Sequence, residues 1–212
     1  MFYDGGGVTF TGGEATMQFD VLKELLVRLK QAGIHTTIET NGTHPRLPEL
    51  FPYIDQLIMD CKYWNAEKHV MYTGIPFETV DQNLRRAASE HKCLDIRIPF
   101  IGGVNDSEED MEMFTQYLQE LAGENVTVEI LKYHEFGKNQ MGSMRYGISN
   151  DRKSTCNIGT DSLFSREAKK NGIQLKKKLI QRKEDSNGSK GSISKQIGLQ
   201  IWRKNRFQEE RA

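Results

Sequence analysis

Apolar positions change their spacing repeatedly along the first two thirds of the chain. Short runs rich in β-branched and aromatic residues favour strands, whereas apolar residues three or four positions apart favour amphipathic helices. The strand-like runs cover residues 8–10, 34–39, 54–61, 94–99 and 126–131. Strands that alternate with helices in this way predict an α/β fold with a parallel sheet, either open or closing toward a barrel.

Capping signals mark the ends of the intervening helices. An apolar repeat over residues 19–29 is followed by Gly33, which is suited to end a helix in the left-handed conformation. Two pairs have the spacing of residues that cap a helix N-terminus: Thr79 with Gln82, and Ser107 with Asp110.

Composition narrows the class of protein. The 212 residues are 37% hydrophobic and 27% charged, which is typical of a soluble globular chain. Basic and acidic residues are equally numerous, 29 of each, and therefore favour no class of partner. No apolar run is long enough to span a membrane, and no basic-then-apolar signal opens the chain. The three scattered cysteines, Cys61, Cys93 and Cys156, favour a reducing cytoplasm.

The C-terminal segment differs in composition from the rest of the chain. From residue 176 onward, eleven Lys and Arg residues stand against four Asp and Glu residues, and apolar residues are few. This composition predicts a low-complexity basic tail over residues 176–212 that is disordered. Trp202 and the cations beside it offer nucleic-acid contact as an alternative, but a solvated tail is favoured.

Charged and hydrogen-bonding residues follow the ends of five successive predicted strands. In chain order they are Gly12-Gly13-Glu14, then Glu39-Thr40-Asn41, then Asp60 with Lys62, then Arg97, and finally His134. The C-terminal ends of parallel strands meet at one edge of a sheet, where ligands bind in such folds. The sequence therefore predicts a small-molecule site at this edge.

Each of these residues also has a simpler interpretation. Glu14 could be a solvated turn residue, and Asp60 and Lys62 could form a plain ion pair. Arg97 could extend from a strand edge to solvent, and His134 could satisfy a turn. The functional interpretation of Gly12-Gly13-Glu14 is that it holds an ammonium group. The glycines lack Cβ atoms, so backbone carbonyls and the Glu14 carboxylate could reach the ligand together. Because polar groups follow the same end of five strands, a shared small-molecule site is favoured over five separate structural roles.

Taken together, these motifs resemble those of the radical S-adenosylmethionine (SAM) family, and within it the glycyl-radical-enzyme activating enzymes, which include the pyruvate formate-lyase activating enzyme. The matching motifs appear in family order over residues 3–140. They are Tyr3-Asp4-Gly5-Gly6-Gly7-Val8-Thr9-Phe10-Thr11-Gly12-Gly13-Glu14, Gly33-Ile34-His35-Thr36, Glu39-Thr40-Asn41-Gly42, Asp60-Cys61-Lys62, Ile96-Arg97-Ile98-Pro99 and Tyr133-His134-Glu135-Phe136-Gly137-Lys138.

The resemblance implies an incomplete (β/α)6 barrel that binds SAM across its strand ends. Within that site, the resemblance implies that Gly12, Gly13 and Glu14 contact the methionine amino group of SAM and that Lys62 contacts its carboxylate. It implies that Arg97 and His134 contact the rest of SAM. Thr40 and Asn41 are expected to line the mouth of the site. Glu39 and Asp60 could together coordinate a cation, because carboxylate oxygens suit one. No residue is assigned a catalytic role.

The resemblance also implies the chemistry. In the family, a [4Fe-4S] cluster passes an electron to SAM and releases a 5′-deoxyadenosyl radical, which takes a hydrogen atom from a glycine of a partner enzyme. The expected protein is thus an anaerobic oxidoreductase with SAM and a [4Fe-4S] cluster as cofactors. Its expected partners are a glycyl-radical enzyme and a reductant such as flavodoxin or ferredoxin. A cytoplasmic monomer without membrane or nucleic-acid partners is expected.

The chain departs from the family pattern near its start. The family's Cys-x3-Cys-x2-Cys motif and first barrel strand should precede Gly5, and neither is present. Cys61, Cys93 and Cys156 do not have cluster spacing. We therefore expect an N-terminally truncated activating enzyme that is inactive alone, with residues 8–10 as an unpaired edge strand.

Three regions and two alternative functions follow. The regions are a partial radical SAM barrel over residues 1–140, a divergent last helix and strand over residues 141–175, and the tail over residues 176–212. One alternative is a non-catalytic remnant that binds SAM or a partner. The other is an enzyme in which Lys62 forms a Schiff base with a carbonyl substrate, although Asp60 beside it argues against a depressed lysine pKa.

Overall fold

Six β-strands of the chain form a single sheet with helices packed against it. This computed structural model describes residues 6–132, 158–176 and 198–203. The strands are β1 (Gly6–Thr11), β2 (His35–Thr40), β3 (Gln56–Asp60), β4 (Leu94–Phe100), β5 (Val126–Lys132) and β6 (Gly198–Arg203). The helices are α1 (Phe19–Gln31), α2 (Ala66–Thr73), α3 (Glu78–Glu90), α4 (Glu108–Leu121) and α5 (Ile158–Lys170), with 3-10 helices at Ala15–Gln18 and Leu47–Tyr53.

The sheet has the strand order β5-β4-β3-β2-β1-β6. Strands β1 to β5 are parallel, and a parallel bridge between Val128 and Leu175 extends the sheet beyond β5. The predicted α/β architecture of a partial barrel is confirmed. Helix α5 and the bridge at Leu175 fall in the region for which the sequence predicts a last helix and strand.

One face of the sheet and the inward stripes of the helices form the hydrophobic core. On β4, Ile96 and Ile98 alternate with polar residues and are fully buried, as are Leu26 of α1 and Phe114 of α4. Burying a side chain of this size stabilises the fold by roughly 1.5–3 kcal/mol. Among the described helices, none combines the length and the apolar character that a membrane crossing requires.

The helix starts agree with the capping signals at one of two positions. Ser107 caps α4 and accepts a hydrogen bond from the Asp110 backbone N–H at 3.1 Å, as predicted. The capping box at Thr79 is wrong, because α3 begins at Glu78 with Phe77 as its N-cap and no side-chain cap. Phe77 is buried with its ring 5.0 Å from that of His69, so packing sets the start of α3.

The outer edge of β1 has a partner in this chain. Strand β6 pairs with it antiparallel along six residues, from Gly6 opposite Arg203 to Thr11 opposite Gly198. The expectation that this edge is unpaired is therefore wrong, and residues 198–203 differ from the disorder predicted for the tail. Backbone N–H and C=O groups on an open edge stabilise whatever strand can pair with them.

The other face of the sheet is polar, and Asp95 of β4 lies at its base. The Asp95 side chain is buried and accepts hydrogen bonds from Gln56 and Thr127 on the neighbouring strands. Lys176, just beyond the bridge at Leu175, donates to it at 2.6 Å. Burial raises the pKa of Asp95, but the bonds from Lys176, Thr127 and Gln56 outweigh it, so the pKa lies below its ordinary value. The base of this face is thus closed by an ion pair between the buried Asp95 and the partly exposed Lys176.

We expect Asp95→Asn to reduce stability in a pH-dependent way. The folded-state pKa of Asp95 is lower than its unfolded value, so its contribution is present above about pH 4 and is lost as the pH falls. Near pH 7 the substitution should lower the free energy of unfolding by about 2 kcal/mol. Urea titrations between pH 7 and pH 3 should show this difference shrinking. Exposed Glu24→Gln is the control, and a constant difference at all pH values contradicts the prediction.

Candidate functional site

The C-terminal ends of β1 to β4 bring most of the predicted site residues to one rim of the sheet. Cross-strand pairing sets their arrangement: Asp60 of β3 lies in register with Arg97 of β4, and Arg97 with Glu129 of β5. Glu39 of β2 pairs with Ile58, which lies two residues before Asp60 on β3. The polar face thus carries charged groups from neighbouring strands at similar heights.

The Glu14 carboxylate is held by donors from the 3-10 helix that follows it and from the end of β2. Its Oε1 atom accepts from the Thr16 backbone at 3.0 Å, the Thr16 hydroxyl at 2.7 Å and the Thr40 hydroxyl at 2.6 Å. Its Oε2 atom accepts from the Asn41 backbone N–H at 2.8 Å. A carboxylate has about four lone-pair positions, two on each oxygen, so Oε2 retains room for another donor. Glu14 is fixed before any ligand arrives, and Thr40 orients it.

Gly12 and Gly13 leave the approach to Glu14 open. Gly12 has a φ of 132°, which only glycine adopts readily, and a Cβ atom added at Gly13 would meet nothing within 4 Å. Both glycines are exposed. A ligand can therefore approach the backbone here, as the sequence predicted from the missing side chains.

Asp60 and Lys62 lie beside each other at the end of β3. Their closest charged atoms, Oδ2 and Nζ, are 3.7 Å apart, and the side chains are 36% and 44% exposed. Cys61 between them is fully buried in the hydrophobic core, on the opposite face. A Schiff-base lysine needs a dry pocket without a neighbouring acid, so this geometry disfavours that alternative for Lys62.

Arg97 joins acids from two strands that flank β3 and β4. Its Nη1 atom lies 2.9 Å from Glu39 Oε1, and its Nε atom donates to Glu129 Oε2 at 3.0 Å. Glu39 is also bound on its other oxygen, Oε2, by the Thr11 hydroxyl at 2.8 Å. Burial lowers the pKa of Arg97, yet the two carboxylates raise it overall. The Arg97 guanidinium therefore stays charged and links the acids of β2 and β5 across the rim.

The electrostatics centre on Asp60. Burial raises its pKa above the ordinary value, the charges of Lys62 and Arg97 lower it, and those of Glu39 and Glu14 raise it again. Four groups from four different strand ends therefore act on a single carboxylate. These are four of the five strand ends from which the sequence predicted a site; the fifth, at His134, lies outside the described residues.

Sequence reasoning missed three members of this rim and predicted one that lies outside the described residues. The missed residues are Thr11, Thr16 and Glu129, and the undescribed one is His134. Glu129 had a signal: it alternates with the buried Val128 and Ile130, so it faces the polar side on the strand next to Arg97. Thr11 and Thr16 flank the glycine motif, and only the folded backbone shows their hydroxyls pointing at Glu39 and Glu14.

The described cysteines do not form a cluster site. Cys61 lies in the core, and burial raises the pKa of its thiol, which disfavours the thiolate that binds metals. Cys93 precedes β4, at the opposite end of the sheet from Lys62. Among the side chains that the structure describes, no three from His, Cys, Asp or Glu are grouped to hold a metal ion. Cys156 lies outside the described part of the chain.

Comparison with known proteins identifies the class to which this fold and rim belong. The family described as the radical SAM superfamily matches residues 2–115, more than half of the chain. The chain therefore belongs to the radical SAM superfamily, and the resemblance found in the motifs is confirmed.

Individual relatives are activating enzymes. The chain is 35% identical over 142 residues to the choline trimethylamine-lyase activating enzyme of Oleidesulfovibrio alaskensis, covering 64% of this chain and 46% of the relative. It is 35% identical over 170 residues to the (2S)-3-sulfopropanediol sulfolyase activating enzyme of Bilophila wadsworthia, covering 77% and 54%. The chain thus spans about half the length of these relatives.

A solved structure agrees with these relatives. A domain of a pyruvate-formate lyase-activating enzyme from Bacteroides vulgatus superposes with a TM-score of 0.66 at 26% sequence identity. The match covers 81% of this chain and 98% of that one. The likeness spans most of the partial barrel.

We expect Thr40→Val to destabilise the fold through Glu14. Thr40 is buried, and its hydroxyl donates to Glu14 while accepting from the Gly42 N–H at 3.1 Å. Valine keeps the volume but leaves the Gly42 N–H without its acceptor and removes one of the four hydrogen bonds to Glu14, which should lower the free energy of unfolding by about 1–3 kcal/mol. Urea denaturation measures this. Thr37→Val on the same strand is the control, since that hydroxyl takes no part in the Glu14 network; equal losses in both variants contradict the assignment.

Proposed function

We propose that this chain binds SAM at the rim of its sheet, as the SAM-binding part of an activating enzyme for a glycyl-radical enzyme. The observation that carries the proposal is the meeting of charged groups from four strand ends. Lys62 lies 3.7 Å from Asp60, Arg97 lies 2.9 Å from Glu39, and Glu14 accepts a hydrogen bond from Thr40 at the end of β2. The relatives are named as activating enzymes, and the motifs of this chain resemble those of the same group.

The charge balance of the rim suits this ligand. Four carboxylates and two cations lie on the described part of the rim: Glu14, Glu39, Asp60 and Glu129 against Lys62 and Arg97. The formal surplus is two negative charges. SAM carries an ammonium and a sulfonium against one carboxylate, so it is a net cation. The remaining negative charge would suit a metal cation at Glu39 and Asp60, whose oxygens keep unused lone pairs.

The polar groups have complementary roles toward SAM. The backbone around Gly12 and Gly13, with Glu14 Oε2, would take the ammonium group. Lys62, half-exposed at the mouth, would meet the methionine carboxylate. Arg97 has three N–H donors beyond those directed at its two acids and would contact the rest of the ligand. Thr40 and Asn41 hold Glu14 in place. His134, outside the described residues, is proposed to contact the same part of SAM as Arg97.

The chemistry beyond binding involves further groups. A [4Fe-4S] cluster supplies, when bound, the electron for reductive cleavage of SAM. The described residues of this chain offer no set of ligands for such a cluster. Their proposed part is to bind and orient SAM and to keep the negative charge that attracts it. The proposed partners are a glycyl-radical enzyme and a flavodoxin or ferredoxin reductant. The unpaired Cys61 and Cys93 suit a reducing cytoplasm, and we propose that the chain acts there as a monomer.

We expect isothermal titration calorimetry to detect SAM binding by this chain. S-adenosylhomocysteine lacks the sulfonium charge and should bind roughly tenfold more weakly, since one charge-assisted contact is worth about 1.4 kcal/mol or more. Lys62→Met should weaken SAM binding by a similar factor. Lys92→Met is the matched control, because Lys92 pairs with Asp55 away from the rim. A folded chain that gives no heat with SAM contradicts the proposal.

The 212-residue chain alone should not assemble a complete cluster. After anaerobic incubation with iron, sulfide and reductant, we expect less than one [4Fe-4S] cluster per chain and no 5′-deoxyadenosine from SAM. Iron analysis, absorption spectroscopy and product chromatography measure these quantities. A stoichiometric brown cluster with deoxyadenosine release would show that this chain supplies its own ligands.

A further inference from the structure

We infer that Glu129 is a positioning residue that holds Arg97 away from Asp60, so that the rim keeps the negative charge a cationic ligand needs. The inference rests on the proposed function, because the ligand it concerns is SAM. Glu129 lies on β5, beyond the strands whose ends carry the predicted site.

The geometry begins with the two ends of the guanidinium. Glu129 and Arg97 are cross-strand partners, and the Nε–H of Arg97 donates to Glu129 Oε2 at 3.0 Å. The Nη1 atom, on the other side of the group, lies 2.9 Å from Glu39 Oε1 on β2. Arg97 is 23% exposed and Glu129 28% exposed, so these contacts are shielded from bulk water. One guanidinium is therefore drawn toward acids on opposite sides of the rim.

Asp60 is the acid that Arg97 could otherwise pair with. It is the cross-strand partner of Arg97 on β3, yet its ion pair in this structure is with Lys62 at 3.7 Å. Arginine binds carboxylates best through two parallel N–H bonds. Without the anchor at Nε, Arg97 can turn this two-pronged edge toward Asp60. That contact would neutralise a carboxylate that faces the ligand.

Glu39 cannot replace this anchor. One oxygen of Glu39 already meets Arg97, and the other accepts from the Thr11 hydroxyl at 2.8 Å. Thr11 fixes Glu39 from the β1 side, whereas Glu129 is the only one of the described residues that pulls Arg97 toward β5. Loss of Glu129 therefore shifts the guanidinium in one direction, toward the acids of β2 and β3.

The test is a double-mutant cycle on SAM affinity, measured by calorimetry with the full chain. Glu129→Gln should weaken SAM binding by roughly tenfold, the size expected for loss of a charge-assisted hydrogen bond. In an Arg97→Met background the same change should have no further effect, because Glu129 acts through Arg97. Glu120→Gln, an exposed acid on α4 paired with Arg85, is the matched control and should leave the affinity unchanged.

A further readout separates positioning from a merely structural role. The Arg97 Nε–H signal in ¹⁵N NMR spectra should be protected from exchange in the wild type and should exchange faster in Glu129→Gln, because the neutral amide oxygen is a weaker acceptor. Where the Gln variant is not folded, Glu129→Asp should give an intermediate affinity.

The outcomes are distinct. Wild-type SAM binding with unchanged affinity in folded Glu129→Gln or Glu129→Asp overturns the inference alone. A Glu129→Gln effect that persists in the Arg97→Met background shows that Glu129 acts directly, and also overturns it. A folded wild-type chain that does not bind SAM overturns both the proposed function and this inference.

Discussion

A guanidinium shared by carboxylates from two strands ties together the rim of this sheet. Arg97 reaches Glu39 on β2 and Glu129 on β5, and the strands between them carry Asp60 and Lys62. Charges that are partly removed from water are stable only when each has a partner nearby. The contacts of the other rim groups depend on Arg97. Because Arg97 is bound to Glu39 and Glu129, Asp60 forms its ion pair with Lys62.

The same face of the sheet carries polar groups at two levels, and each level is organised differently. At the base, Asp95 accepts from Gln56, Thr127 and Lys176, and its charge is fully matched. At the rim, carboxylates outnumber cations, and the pKa of Asp60 is raised. A charge that is already satisfied stabilises a fold, whereas an unbalanced one favours binding of a counter-charge. Matched charges and unbalanced charges are thus separated by height along the strands.

Much of the fold could be predicted from the sequence, because the strand and helix periodicities are strong where the core is continuous. Helix α2 was missed, although Asn65 caps its start and Gly74 ends it with a φ of 72°. Its eight residues are too short for a clear apolar repeat, and Val70, Met71 and Tyr72 on it are exposed. Strand β6 was missed for another reason: its partner lies nearly 200 residues away, and pairing at that separation leaves no local signal.

The candidate site was predictable where residues follow strand ends, and less so where contacts cross the sheet. Glu14, Lys62 and Arg97 could be chosen by position and charge alone. Glu129 required the register between β4 and β5, which the sequence does not state. Thr16 required the path of the loop after Gly13, since a threonine next to an acid has many possible partners.

The ion pair at the base links the order of synthesis to the completion of the fold. Asp95 and Lys176 are 81 residues apart in the chain. During translation, Asp95 emerges with its neighbours on β3 and β5, but its ammonium partner is made only after α5. A nascent chain that stops short of Lys176 therefore has Asp95 without its ammonium partner, and the lower end of the sheet is completed only with the bridge at Leu175.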